Sequence, residues 1–216
     1  MAVAQKVFFS VSMSLDGFIA PEGGPYGEGG ATQWGELQQW IFPQRFFREN
    51  LGLGPGGEEG RENDILGATF ARTGASVMGR GMFDLGERAW PEEAPFHTPV
   101  YVVTHHERGP WPRPGGTTFH FIDDGIEAAL DAARGAAGSR DVRIAGGAAT
   151  ILQYLNAGLI DEFTVALAPV LFGAGLRLFE GVDAGRVAVE PLGVESTPRV
   201  THLTYTVRRR QAPSPS

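Results

Sequence analysis

The chain has 216 residues, 42% of them hydrophobic and 20% charged, with a net charge of −7 at neutral pH and no cysteine. These values suit one large soluble domain or two small ones with a substantial core and argue against a nucleic-acid or anionic-membrane surface. The lack of cysteine excludes disulfides, thiolate metal sites and a cysteine nucleophile, and it fits a cytoplasmic protein.

The N-terminal segment "KVFFSVSM" (6–13) has strand length and strand composition. Its apolar patch is short and broken by serines, so it reads as a strand and not as a signal peptide. No apolar run reaches the roughly 18 residues that a membrane helix needs. The glycine-rich stretch 21–35 is expected to be a loop, and residues 36–48 to be weakly helical, interrupted at Pro43. A second glycine loop covers 51–60. A helix is expected from Asp64 to Thr73, with Gly74 as its C′ residue.

"ASVMGR" (75–80) and "PVYVVT" (99–104) read as short buried strands. Asp124 and Glu127 have capping-box spacing ahead of a helix whose face is Ile126, Ala129, Leu130 and Ala133. "DVRIAG" (141–146) is a strand. Ala148, Ile151, Leu152 and Leu155 repeat the helical spacing i, i+3, i+4, i+7, and Gly158 ends that helix. "DEFTVALA" (161–168) is a strand, and 186–195 with 199–209 form a terminal antiparallel pair. The tail "QAPSPS" is expected to be disordered. Strands alternating with helices predict one three-layer α/β/α domain over 1–210, with a mostly parallel sheet and an antiparallel C-terminal edge.

Two junctions join strand, glycine and helix abruptly: "ASVMGRGMFD" and "VRIAGGAATIL". In open α/β sheets ligands sit at the C-terminal strand ends, where helix N-termini offer unpaired N–H groups to phosphate. Two such junctions suit a ligand with more than one phosphate, such as a dinucleotide. Neither is a G-x-G-x-x-G fingerprint or a P-loop. On spacing alone, the glycines either cradle a ligand or merely make tight turns.

Three segments in order carry a resemblance: "SVSMSLDGFIA", "VMGRGMFD" and "IAGGAATILQYLNAGLIDEFTVALAPVLFGAGLRLFEG". Over residues 5–208 the chain resembles the dihydrofolate reductase-like superfamily. Within it, the chain is most similar to the reductase domain of the bifunctional riboflavin-biosynthesis deaminase–reductase. The resemblance implies an NADPH-dependent reductase of a small pterin- or flavin-precursor-like heterocycle. The zinc signature of the deaminase half requires cysteines, so the expected activity is reduction alone.

The resemblance also implies site residues. Gly146, Gly147, Ala148 and Thr150 would contact the cofactor, with the Gly146–Gly147 peptide often cis in such proteins. Gly79, Arg80, Gly81 and Met82 would start the helix that receives the other phosphates. Thr104, His105, His106 and Arg108 would meet the adenosine ribose, in a basic, hydroxyl-bearing turn that favours NADPH over NADH. Ile19 and Ala20 would hold the nicotinamide carboxamide through their backbone. Asp16 would lie at the rim, or would only form the Asp-Gly turn. His105 and His106 have no third ligand at metal-binding spacing, so no metal is expected.

Dihydrofolate reductases carry one carboxylate near the start of the corresponding helix, and Asp64 fits that position. Asn63 or Asp64 is equally suited to N-cap the helix. Trp34, Trp40, Phe46 and Phe47 either line the substrate pocket or belong to the core. Two other readings are a non-catalytic nucleotide-binding module and a relative that uses a flavin-type cofactor. The apolar "LAPVLFGAGLRLF" near a chain edge suggests a homodimer. The expected partner is otherwise a small molecule, with no nucleic acid and no membrane.

Overall fold

The computed structural model describes residues 5–210. The tail predicted to be disordered, 211–216, lies outside them. The chain opens with β1 (Val7–Ser14) and the short β2 (Phe18–Ala20), followed by α1 (Gly30–Leu37), α2 (Arg45–Asn50) and α3 (Arg61–Arg72). Then come β3 (Thr73–Gly79), α4 (Arg80–Glu87), β4 (Pro99–Val103), β5 (Trp111–Pro112), β6 (Thr118–Ile122) and α5 (Ile126–Ala137). The last third comprises β7 (Asp141–Gly146), α6 (Ala148–Asn156), β8 (Glu162–Ala168), β9 (Leu176–Arg177), β10 (Val187–Ser196) and β11 (Thr201–Arg209).

Nine strands form one sheet in the order β10-β11-β8-β1-β7-β3-β4-β6-β5. The six from β8 to β6 are mutually parallel. β11 and β10 continue the sheet antiparallel beyond β8, as expected for the C-terminal edge, and β5 is antiparallel at the other edge. Parallel strands covered on both faces need apolar side chains in both directions. On one face Val7, Phe9, Val77, Ile144 and Phe163 pack against α5 and α6. Tyr154 of α6 donates its hydroxyl to Ile126 O of α5 at 2.6 Å, tying those two helices together. On the other face Met78, Val102 and Phe119 pack around Phe83 of α4. Leu37, Trp40 and Leu66 form a separate cluster over Ala166 and Ala168.

Three helix starts differ from the sequence expectation. The glycine stretch 21–35 contains a helix from Gly30, because Trp34 and Leu37 join the cluster over β8; tertiary burial outweighs composition there. The helix expected at Asp64 starts at Arg61, with Gly60 as N-cap and no capping side chain. Asn63 is engaged elsewhere, accepting from Phe46 N at 2.7 Å. Asp124 does not cap α5 either, since the N-cap is Gly125 at φ 94 and no side chain bonds there.

A charged cluster ties the N-terminal strand ends together. Arg72 bonds Asp141 at 2.8 Å and Glu162 at 2.7 Å, and Lys6 bonds Glu162 at 2.5 Å. Burial works against the Glu162 charge, but the bonds from Lys6 and Arg72 prevail and hold its carboxyl below the usual range.

At the opposite end Asp16 clamps the 172–173 loop. Its carboxylate accepts from Ser14 Oγ at 2.6 Å, Gly173 N at 2.7 Å and Phe172 N at 3.1 Å. The Ser14 bond, helped by those backbone N–H groups, lowers the Asp16 pKa from 3.8 to about 2. A carboxyl depressed in the folded state adds stability above its unfolded pKa, and that stability is lost as pH falls through the folded value. Asp16→Asn is therefore expected to lower the melting temperature at pH 7. The gap to the parent should close as the pH drops from 3.8 to about 2. A pH-independent gap in thermal denaturation would remove the charge from this account.

Candidate functional site

A cleft of about 1530 Å³ opens over the C-terminal ends of β1, β7, β3 and β4. A single small-ligand pocket holds roughly 300–1,000 Å³, so this cleft has room for a large cofactor and a second molecule.

The parallel register builds its first half. Gly79 lies beside Val103 and Met78 beside Gly146, so three strands end at one level. There α4 and α6 begin side by side, with Gly79 and Gly147 as N-caps and no side chain capping either helix. Uncapped helix starts leave backbone N–H groups and the positive dipole end for an anion. A β-carbon on Gly79 would run into Thr150 Oγ1, and one on Gly146 would lie 2.9 Å from Met82 Sδ. One on Gly147, at φ 27, would meet nothing within 4 Å. The first two glycines allow the helix ends to converge; the third leaves the space between them open.

The cis peptide that the resemblance suggests is not present, and every peptide among the described residues is trans. The turn is made instead by φ 143 at Gly146 and φ 27 at Gly147, dihedrals that glycine adopts without a side-chain clash.

Ile19, Ala20, Arg80, Gly81, Ala148 and Thr150 line this half of the cleft, as do Met82, Thr104 and His105. Arg80 donates Nε to Asp84 at 2.6 Å, which fixes its guanidinium at the start of α4. Thr104 Oγ1 accepts from His106 N at 3.1 Å and shapes the turn that exposes His105 and His106. Arg108 leaves the group: it bonds Glu87 at 2.9 Å and stacks over Phe121, outside the cleft lining. Asp16 is likewise not a lining residue, because its carboxylate is held by the 172–173 loop. Among the described residues no group of three His, Cys, Asp or Glu is placed to hold a metal.

The second half of the cleft lies between β1, β7, α1 and α3. Trp34 and Phe47 line it, and Trp40 is both a lining residue and a core residue. Phe46 packs on Phe70 instead. A buried polar chain runs along its floor: Trp40 Nε1 donates to Ser12 Oγ at 2.9 Å, and Ser12 donates to Gln38 Oε1 at 3.0 Å.

Asp64 does not reach this space. It is exposed in the first turn of α3, whereas the lining residues of that helix are Leu66, Thr69 and Phe70, on another side. The acid of α3 that does turn inward is Glu62, and it is fully engaged. It accepts from Arg199 Nη1 at 2.8 Å, Thr197 Oγ1 at 2.9 Å, Arg199 N at 3.0 Å and Gln44 Nε2 at 3.1 Å.

The charged group on the floor is Arg143 of β7, which sequence reading passed over. Its Nε has no accessible surface and no partner, and its one hydrogen bond is a long 3.4 Å contact from Nη2 to Ser10 O. The guanidinium sits 5.3 Å from the centre of the Phe70 ring. Burial pushes its pKa down to about 10, so it remains charged at neutral pH. The available signal was its place between Val142 and Ile144 in the central strand "DVRIAG".

The chain matches the model of the RibD C-terminal domain family over residues 5–203. No protein of curated function matches the sequence. Among solved structures, the chain is 22% identical to a protein assigned to riboflavin biosynthesis from Shewanella sp. PV-4. That match covers 95% of this chain and 100% of the other, with a TM-score of 0.63. It is 14% identical to the diaminohydroxyphosphoribosylaminopyrimidine deaminase/5-amino-6-(5-phosphoribosylamino)uracil reductase of Thermotoga maritima, covering 94% of this chain and 56% of that one, with a TM-score of 0.58. RibD of Acinetobacter baumannii is 18% identical, with 94% of this chain and 58% of that chain covered and a TM-score of 0.53. These likenesses show a shared fold, and the family match over nearly the whole chain agrees with the motifs at both glycine junctions. The chain belongs to the RibD C-terminal domain family and is an oxidoreductase of that family.

Proposed function

We propose that the protein reduces a small heterocyclic, pyrimidine- or pterin-like substrate with a hydride from NADPH. The observation that carries this reading is the convergence of two uncapped helix starts, at Gly79 and Gly147, on one cleft that continues into an aromatic second chamber. The cofactor supplies the hydride, and the protein's part is binding and orientation.

The N–H groups at the starts of α4 and α6 face the phosphates, with Arg80 adding charge. Ile19 and Ala20 hold the nicotinamide end through their backbone. Thr104 and His105, in a turn that also bears His106, receive the adenosine ribose, which favours a 2′-phosphate. Trp34 and Phe47 flank the acceptor. Glu22, at the cleft mouth, is the one carboxylate among the described lining residues, and Glu62 is committed to Arg199. The hydroxyl protons of Ser12 and Thr69 are committed to Gln38 and Ile65 O, so protons reach the acceptor from solvent or through Ser10.

The same reading includes a homodimer through the C-terminal edge. β10 is a ten-residue edge strand, and Val189, Leu192 and Val194 on it are exposed. An exposed apolar edge of this kind invites pairing with another copy. Light scattering at micromolar concentration is expected to give twice the 23.1 kDa chain mass; a monomer mass throughout would reject the dimer.

Isothermal titration tests the cofactor. NADPH is expected to bind. Alanine is strained at φ 27 and at φ 65, so Gly147→Ala and Gly158→Ala should both lower the melting temperature, but only Gly147→Ala should also weaken NADPH binding, because its methyl enters the open space between the helix starts. Gly158→Ala is the control. Gly158 follows α6 at φ 65 and packs against Arg209, so this variant should lose stability and keep its affinity. No NADPH binding at millimolar concentration overturns the reading.

Arg80→Ala is expected to weaken NADPH by roughly ten- to hundred-fold, the value of a charged hydrogen bond to phosphate. Its half-exposed i,i+4 pair with Asp84 contributes little to stability, so the melting temperature should hardly change. An unaltered dissociation constant would leave Arg80 as Asp84's partner alone.

A further inference from the structure

We infer that the second chamber takes a flat substrate bearing an anionic oxygen, a carboxylate or the ionised oxygen of an acidic heterocycle, and that Arg143 anchors it. The inference rests on the proposed use of the cleft for reduction and adds the chemical class of the acceptor.

Two arginines on neighbouring elements make the contrast. Arg72, at the N-terminal strand ends, is matched by Asp141 and Glu162 at 2.8 and 2.7 Å. Arg143 is set into the central strand β7 and has no carboxylate partner among the described residues. A guanidinium has five N–H donors, and here one long bond to Ser10 O is all they make. Arg143 is partly buried, with Nε inaccessible and the rest of the side chain opening on the cleft, and no carboxylate neutralises it, unlike Arg72, Arg80 and Arg199. Packing alone does not account for it, since Phe70 and Leu66 show that apolar side chains fill the same wall.

The surroundings specify the missing partner. Trp34, Phe47 and Phe70 make flat apolar walls, which suit a conjugated ring. Ser12 holds Gln38 by its Oε1, which turns the amide so that Nε2, a donor, has no protein partner. Thr69 donates to Ile65 O at 2.8 Å, so its oxygen is left as an acceptor. No carboxylate of the described residues lies in this chamber, so it offers nothing to pair with a protonated aminopyrimidine. The Arg143 guanidinium and the free Gln38 amide N–H groups together recognise a negatively charged, acceptor-bearing edge. The arrangement has a further chemical use. Hydride arriving at a conjugated acceptor leaves electron density on its oxygen, and a guanidinium already in place stabilises that charge.

The test uses three planar carboxylates (2-naphthoate, orotate and pterin-6-carboxylate), each paired with its neutral carboxamide. Binding is followed by quenching of tryptophan fluorescence, with and without saturating NADPH. At least one carboxylate is expected to bind roughly ten- to hundred-fold tighter than its amide, the range of a charge-assisted hydrogen bond. Arg143→Met should bring the carboxylate down to the level of the amide, and Arg143→Lys should retain part of the preference. Because the methionine removes a partly buried charge that no carboxylate neutralises, Arg143→Met is expected to melt no lower than the parent and to keep NADPH binding.

Three results overturn the inference: equal binding of acid and amide, a preference for the acid that survives Arg143→Met, or no carboxylate binding at millimolar concentration. A marked fall in melting temperature together with lost NADPH binding in Arg143→Met would make the residue structural and overturn it as well. Loss of the cofactor reading is separable: NADPH then fails to bind the parent while the acid–amide difference persists without it.

Discussion

Between Gly79 and Thr150 there is room for a hydrogen atom and for nothing larger. That contact sets the distance between the starts of α4 and α6, and the shape of this end of the cleft follows from it. Gly146 repeats the device against Met82 at 2.9 Å. The parallel register of β3, β7 and β4 brings the junctions to one level, and the glycines let two positive helix ends approach without side chains between them. Two helix ends aimed at one space repel each other and attract anions, an arrangement that a bound polyphosphate relieves. The packing of α5 and α6 on the opposite face, tied by Tyr154 to Ile126, holds the starting point of α6 from behind.

Charge is divided between the two ends of the sheet. At the N-terminal ends Lys6, Arg72, Asp141 and Glu162 neutralise one another in close pairs. At the C-terminal ends the acids have been drawn away from the cleft: Asp16 into the 172–173 loop, Glu62 onto Arg199, Asp84 onto Arg80. Among the described residues Glu22 alone of the carboxylates lines the cleft, and Arg143 on its floor is left without one.

Carboxylate chemistry shows how far homologous reasoning extends. The resemblance pointed to an acid near the start of α3, and two acids stand there. Helix phase puts Asp64 in solvent and Glu62 inside, and the inner one is saturated by four donors. The chamber this helix borders is left with hydroxyls, an amide and a guanidinium. The chamber beside α3 thus carries a guanidinium where the resemblance suggested a carboxylate.

Much of this was legible in the chain itself. The alternation of apolar strands with amphipathic helices specified a parallel sheet covered on both sides, because only such strands tolerate apolar residues in both directions. The glycines at 79–81 and 146–147 marked the two strand-to-helix junctions that meet at the cleft, since their cost in strand and helix stability needs a local reason. What the sequence alone did not determine depends on which residues meet across the fold. Asp124 and Asn63 have capping chemistry, yet Gly125 and Gly60 occupy the caps, and Asn63 is taken up by Phe46. Asp16 lies next to a turn glycine in sequence, and only the return of the chain at 172–173 makes it a loop clamp. Arg143 is one arginine among many in the sequence. Its meaning comes from strand pairing, which places it beside Ser10 and beneath Phe70, where no carboxylate follows it. Local propensity and pattern decide which elements form. Partnership of charges is a long-range property, and the tertiary structure alone decides it.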